Sequence, residues 1–388
     1  MKIIYFTTAL MKEDYVSFSS AWDASLNTSI QNLHNRLIRA LAMTHEVEVI
    51  SIRPFSRIYC KLKKLDAENK QEGKINWHYL EIKRFKLPRY LAIAKQCKRI
   101  VSRMNLKDCI IITDTLNPNV LRNSTQIAKK FNLPIIGVCN NTPSGIHDTG
   151  RSYTTYLLNT AGNLSGYITL TPGLNELFNK SNRANMSFEG IVDDKCQPNK
   201  TKNNYGKYLY YNGSLEEKYG VYDLIKAFNE LNDSSLNLVI SGYHANKERL
   251  DKAINDNGHI YYLGMIQCEE AASLANQSVA NINPRPYSED YDRYLIPNNL
   301  IDFFSVNSIV ISTRNRHFKK YFADDAIWID SNETKDLIKG IKEALALSKT
   351  MREEMIKKAN TDVNKLYSMS MINRRTILFL KQFLKQKD

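Results

Sequence analysis

The chain is 388 residues long, 43% hydrophobic and 24% charged, which is enough for sizeable buried cores and more than one domain of ordinary size holds. No apolar run approaches the roughly 20 residues that span a bilayer, and the opening MKIIYFTTAL turns polar too soon for a secretory leader. The formal charge of +14 is lopsided: residues 1–190 carry 26 Lys+Arg against 14 Asp+Glu, while the remainder carries 28 against 26.

Along the first half, short β-rich runs alternate with segments of helical period. The runs are KIIYFTT, HEVEVISI, WHYLEI, DCIIITD, LPIIGVCN and GYITLT. Between the first two, Ile30, Leu33, Leu37, Ile38 and Leu41 mark one face of a helix. Arg53 to Lys107 holds 16 basic and 4 acidic residues. Such a face suits an anionic membrane surface, an acidic substrate or nucleic acid, or is simply solvated. Nucleic acid fits worst, because no reading module or array of stacking aromatics accompanies the charge.

Six cysteines (Cys60, Cys97, Cys109, Cys139, Cys196 and Cys268) form no CxxC pair. That spacing predicts reduced thiols in a cytoplasmic protein, not a disulfide framework or a zinc site. No His/Asp/Glu constellation suggests a metal.

After a polar break at residues 193–207 the alternation restarts with YLYYNG, LNLVISG, HIYYLG, VANINP, SIVIST and AIWID. Two such series predict an α/β protein with two doubly wound parallel-sheet (Rossmann-like) domains facing a cleft. The expected boundaries are an N-terminal domain over 1–190, a linker over 191–206 and a second domain over 207–350. Terminal helices over 351–388 are expected to pack back toward the first domain. Their basic, amphipathic end INRRTILFLKQFLKQK is alternatively an interfacial membrane helix.

Ligands of open α/β sheets lie beyond the carboxyl ends of the strands. In the second half those ends read Asn212-Gly213-Ser214, Ser241-Gly242-Tyr243, Gly264-Met265-Ile266, Asn283-Pro284-Arg285 and Ser312-Thr313-Arg314. Glycine allows close backbone approach and a cation neutralises phosphate, so a nucleotide fits. Pro297 predicts the first residue of a helix, with Asn298, Asn299 and Leu300 in its first turn. Free N–H groups there would seat a pyrophosphate, and Asp302, one turn in, would accept from ribose hydroxyls.

These residues carry a resemblance. The second half resembles the donor-binding domain of retaining, GT-B-fold glycosyltransferases of family 4 (group 1), of the surface-polysaccharide type. The motifs are Gly213-Ser214-Leu215 followed by Lys218, Tyr219 and Gly220, then LVISGY, YYLGM, Asn283-Pro284-Arg285, Ser288-Glu289-Asp290 and the proline-led helix bearing Asp302. The likeness is dense from Tyr208 to Thr313 and weak before it. It implies a GT-B architecture with an acceptor-binding first domain and a nucleotide-sugar donor domain. It also implies that Gly213 and Ser214 approach the sugar diphosphate, which Lys218 neutralises. The implied donor is a nucleotide-diphosphate sugar, with no further cofactor and no metal. The implied acceptor is a glycan or a lipid-linked molecule, with the basic stretch serving an anionic membrane at the inner face.

The departures are specific. Ser214 stands where many members have arginine, so that Arg285 supplies the second cation. Asn299 stands where a lysine is common, and Asp302 where a glutamate is. The partner glutamate eight positions before is Tyr294, and TTALMKEDYVSFSSAWDAS lacks the usual acceptor-side glycines. Together they leave open a catalytically degenerate binding subunit that supports an active partner. In the first half, CNNTPSGIHDTGRS follows a strand and offers His147, Asp148 and Arg151. His147 is a proton acceptor, a sugar contact or an ordinary loop residue; Asp114 is a second candidate or a helix cap.

Overall fold

The computed structural model describes residues 1–19, 28–55, 64–83, 86–143, 151–194, 196, 198–199, 204–243 and 246–384. It divides into two compact units. The first comprises residues 1–191, Arg293–Leu295 and Met369–Asp388; the second comprises Val192–Asp292 and Ile296–Ser368.

The first unit is built on eight strands: β1 Lys2–Thr7, β2 Val47–Ser51, β3 Glu68–Glu72, β4 Ile75–Tyr79, β5 Cys109–Asp114, β6 Ile135–Cys139, β7 Gly166–Thr169 and β8 Asn185–Ser187. Their spatial order is β3-β4-β2-β1-β5-β6-β7-β8. All neighbours are parallel except β3 and β4. β2, β5 and β6 are buried along their whole length, as strands covered on both faces must be. β3, of sequence ENKQE, is too polar to announce itself and exists by pairing with β4 at the sheet edge.

The second unit holds β9 Tyr208–Asn212, β10 Asn237–Ser241, β11 Ile260–Tyr262, β12 Ala280–Asn283, β13 Ile309–Thr313 and β14 Ile327–Ile329. The order is β11-β10-β9-β12-β13-β14, all parallel. Counted within the unit this is 3-2-1-4-5-6, the doubly wound order whose reversal lies between β9 and β12. The strand ends that carry the candidate residues therefore share one edge of one sheet. Helix Val221–Leu231 covers this sheet with Val221, Leu224, Ile225 and Phe228, a stripe at i, i+3, i+4 and i+7.

The two terminal helices part company. Helix Lys349–Tyr367 belongs to the second unit, correcting the expectation that all of 351–388 packs toward the first. Arg352 explains the anchoring: it donates to the carbonyls of Val279 at 2.6 Å and Ala344 at 2.8 Å. Lys358 pairs with the buried Asp325 carboxylate. Helix Met369–Lys381 belongs to the first unit, where Ile372, Ile377 and Leu380 are buried. Asn373 Nδ2 donates to the Ala40 carbonyl at 2.6 Å, and Arg375 to the Ser187 carbonyl at 2.7 Å. Its apolar face is thereby used in packing. Among the described residues no helix is long and apolar enough to cross a membrane.

The cysteines require a correction. Cys196 and Cys268 are disulfide-bonded, with a Cα–Cα distance of 5.5 Å, across 72 positions of sequence. The fold of the second unit brings the polar segment after β8 against the start of helix Cys268–Gln277, a proximity no local spacing reports. Cys97, Cys109 and Cys139 are free and buried.

Candidate functional site

At the carboxyl edge of the second sheet, three glycines on adjacent strands form a continuous ridge. Gly213 N–H donates to the Ser241 carbonyl at 3.1 Å, and Gly242 N–H to the Gly264 carbonyl at 2.8 Å. Gly242 has φ +137°, and a Cβ there would overlap the Gly213 carbonyl oxygen. Tyr262 Oη braces the ridge from below by donating to the Gly242 carbonyl at 2.9 Å. Leu215 N–H donates to the Tyr243 carbonyl at 2.8 Å, so the loop after β9 is tied to the end of β10. Met265, the residue after Gly264, is 62% exposed.

The loop then descends into a short 3₁₀ turn, Glu217–Tyr219, and reaches helix Val221–Leu231 through Gly220. Gly220 has φ +76° and lies so close to the Pro284 carbonyl that a side chain would collide with it. That approach places Arg285 beside the turn. Its guanidinium lies 4.7 Å from the centre of the Tyr219 ring. Thr313 Oγ1 donates to the Arg285 carbonyl at 2.5 Å and fixes the backbone.

Arg285 is the electrostatic anomaly of this edge. It is half-buried, its Nε is covered and has no hydrogen-bond partner, and no carboxylate among the described residues neutralises it. Burial pushes its pKa down, and the tyrosines around it (Tyr219, Tyr211, Tyr291) oppose that only in part. A buried charge without a counter-ion is costly unless a ligand supplies one.

Lys218, 45% exposed, pairs with Glu216 at 2.7 Å. Ser214 Oγ donates to the other Glu216 oxygen at 3.1 Å, and the Ser214 carbonyl accepts from Tyr211 Oη at 2.7 Å. Glu216 escapes a motif search because it lies between the motif's marked positions.

Helix Asn298–Phe304 begins one residue later than its sequence suggests, with Pro297 as the cap residue. Asn299 Nδ2 donates to the Asn212 carbonyl at 3.2 Å, joining this helix to the end of β9. Asn298 and Asp302 are half-buried on the same helix. Leu300 departs from the expected arrangement: its side chain is buried and its N–H donates to the Pro297 carbonyl at 3.0 Å. Gly213, Ser214, Lys218, Gly242, Gly264, Met265, Arg285, Asn298, Asn299 and Asp302 thus stand on contiguous strand and helix ends of one unit.

In the first unit, His147 and Asp148 lie outside the described residues, and Arg151 opens helix Arg151–Ala161, exposed. Asp114 is 1% exposed, and its Oδ1 accepts from the Leu116 N–H at 2.8 Å, a turn-closing role. It also lies 3.8 Å from Nε2 of the fully buried His34, whose Nδ1 is 2.7 Å from Tyr5 Oη. Burial holds the His34 imidazole below its ordinary pKa, with Asp114 opposing. The unfolded chain therefore takes up a proton near pH ~6.5 that the folded chain refuses, so stability falls as pH drops below that value. The thermal midpoint between about pH 7.5 and pH 5 should fall more steeply for the natural protein than for His34→Gln. Equal slopes would show that His34 stays uncoupled from folding.

Among the described residues no group of three or more His, Cys, Asp or Glu side chains could hold a metal ion.

Residues 193–362 match the family model described as Glycosyl transferases group 1, so this part of the chain is a glycosyltransferase group 1 domain. No curated protein matches the chain. Solved structures match it over nearly its whole length at low identity. A sucrose-phosphate synthase from Thermosynechococcus elongatus is 12% identical with a TM-score of 0.72, covering 100% of both chains. A structure described as trehalose-6-phosphate from E. coli bound with UDP-2-fluoro glucose is 11% identical with a TM-score of 0.70, covering 98% of this chain and 99% of the other. A glycosyltransferase from Rickettsia africae is 13% identical with a TM-score of 0.68, covering 100% and 99%. At these identities the likeness establishes the fold, GT-B with two parallel-sheet α/β domains.

Proposed function

We propose that the protein is a glycosyltransferase that moves a sugar from a nucleoside-diphosphate sugar to an acceptor hydroxyl with retention of configuration. The observation that carries this reading is Arg285, a half-buried guanidinium without a counter-ion among the described residues, set beside a glycine-lined loop that also presents Lys218. A diphosphate supplies the missing charge. In the reaction the acceptor oxygen bonds to the anomeric carbon, and the bond from that carbon to the diphosphate oxygen breaks. The diphosphate leaves with the bonding pair, and the acceptor proton passes to a departing phosphate oxygen. Lys218 and Arg285 stabilise the charge that develops on the leaving group, and Asp302 holds the ribose. The group 1 domain match and a neighbour solved with a UDP sugar support a nucleotide-sugar donor.

For the acceptor, the neighbours' descriptions favour a sugar phosphate, and the charge of the first unit favours a glycan or lipid-linked molecule of cell-surface polysaccharide synthesis. The basic stretch is partly neutralised: Lys64 pairs with Asp66 at 2.9 Å and Lys70 with Asp14 at 2.6 Å. Lys95, Lys98, Arg99 and Arg103 remain exposed, near Leu91 at 66% exposure. Lys98 and Lys130 crowd each other closely enough to lower the Lys130 pKa. Anionic vesicles should therefore bind the protein and release it as salt rises from about 50 to about 500 mM, because screening shortens the Debye length severalfold. Lys95→Glu, Lys98→Glu and Arg99→Glu together should abolish vesicle binding. Equal binding to neutral and anionic vesicles would remove the membrane from this account.

Glu216, set against Lys218 and Ser214, favours a second reading, a subunit that binds donor without turning it over. Calorimetric titration with UDP, GDP and dTDP, then a hydrolysis and transfer screen over their sugars, separates the two. Binding with turnover supports the enzyme, and binding without turnover on any acceptor supports the subunit. No binding at all removes the donor site.

A further inference from the structure

We infer that Glu216 is a built-in competitor for the donor's phosphates: its carboxylate fills the anion seat when no donor is bound and must leave for one to enter. This rests on the reading of the loop from Gly213 to Gly220 as that seat. The two oxygens of Glu216 divide their partners, one accepting from Ser214 Oγ at 3.1 Å and the other lying 2.7 Å from Lys218 Nζ. Those are the hydroxyl and the ammonium that the loop offers a ligand. A carboxylate is a fair chemical copy of one phosphate edge, with shared negative charge and lone pairs for a hydroxyl and a cation at once.

The adjacent Glu217 supplies the contrast. Its carboxylate turns away and pairs with Arg249 at 2.9 Å, on the exposed side. Of two consecutive acids, one is committed elsewhere and the other enters the seat. Glu216 also has the freedom to leave. Its side chain is 41% exposed, while the loop backbone is pinned by buried Leu215 and by the Tyr211 bond to the Ser214 carbonyl. Rotation of one side chain into water therefore opens the seat without moving the loop. Arg285, which no carboxylate among the described residues reaches, stays charged to draw the ligand in. A phosphate that reached Lys218 with Glu216 still in place would meet a like charge, and so binding and departure are coupled.

The test is calorimetric titration of the natural protein, Glu216→Gln and Lys218→Ala with whichever of UDP, GDP and dTDP binds, and with the corresponding nucleoside as a phosphate-free control. Glu216→Gln should bind the nucleotide about three- to tenfold more tightly, with nucleoside affinity unchanged. Unchanged or weaker nucleotide binding by Glu216→Gln, while Lys218→Ala still weakens it, would overturn the role of Glu216 and leave the seat standing. Full binding by Lys218→Ala, or no nucleotide binding by any of the three proteins, would overturn the seat and this inference with it. Glu216→Ala serves as a second variant should the amide disturb Ser214.

Discussion

Lys218→Ala and Arg285→Ala should each weaken nucleoside-diphosphate binding by about 10- to 150-fold, the equivalent of roughly 1.5–3 kcal/mol for a hydrogen bond to a charged group. The two differ in what else they do. Lys218 is on the surface and paired with Glu216, so its loss should shift stability by less than about 1 kcal/mol. Arg285 has no counter-ion among the described residues, so truncating it removes a desolvated charge and costs its contact with Tyr219. Its variant should therefore melt close to the natural protein while losing most of its affinity. A folded double variant that binds nucleotide normally would move the donor site away from this edge. Titration calorimetry and a melting curve on the same samples decide the matter.

Gly242→Ala should damage the fold and the site together. The residue combines φ +137° with a backbone oxygen in the place of the new methyl group, so neither a rotamer change nor a flexible neighbour relieves the clash. The strained conformation alone costs about 1–3 kcal/mol, and displacing Gly213 adds to it. The Gly242 to Gly264 hydrogen bond and the Tyr262 brace would shift with the backbone. We expect a lower melting temperature and nucleotide affinity reduced beyond detection. Gly258→Ala is the control, since nothing lies within 4 Å of its added methyl and its φ is not positive. Its stability should change by less than about 0.5 kcal/mol. Equal behaviour of the two variants would mean that the ridge adapts freely and is not a fixed phosphate platform.

The twelve apolar runs legible in the sequence are twelve of the fourteen strands among the described residues, because a strand that buries one or both faces carries apolar residues and is bounded by polar turns. The other two are edge strands, ENKQE and NMS, whose residues carry no such signature and whose pairing is decided by their neighbours. The glycine ridge is equally legible, since Gly213 and Gly242 directly follow β9 and β10 and Gly264 lies two residues past β11. Glu216 is not, since no local pattern says which of two adjacent glutamates turns toward Lys218. Neither the Cys196–Cys268 bond nor the contact of His34 with Tyr5 and Asp114 could be read, because each joins residues from distant segments. The Leu300 N–H is not free for a ligand, because Pro297 precedes the helix and its carbonyl accepts from it, which the sequence does not show.

The partition of the chain bears on how it can be cut. The first unit takes its last helix, Met369–Lys381, from the far end of the sequence, and the second unit is interrupted at Arg293–Leu295. A fragment ending at residue 191 would expose the surface that Ile372 and Leu380 cover and leave the Ala40 carbonyl without Asn373. The first unit is better excised by circular permutation, with Met369–Asp388 fused ahead of Met1, than by truncation. Dissection at the midpoint would yield one fragment missing a wall and another carrying a helix foreign to it.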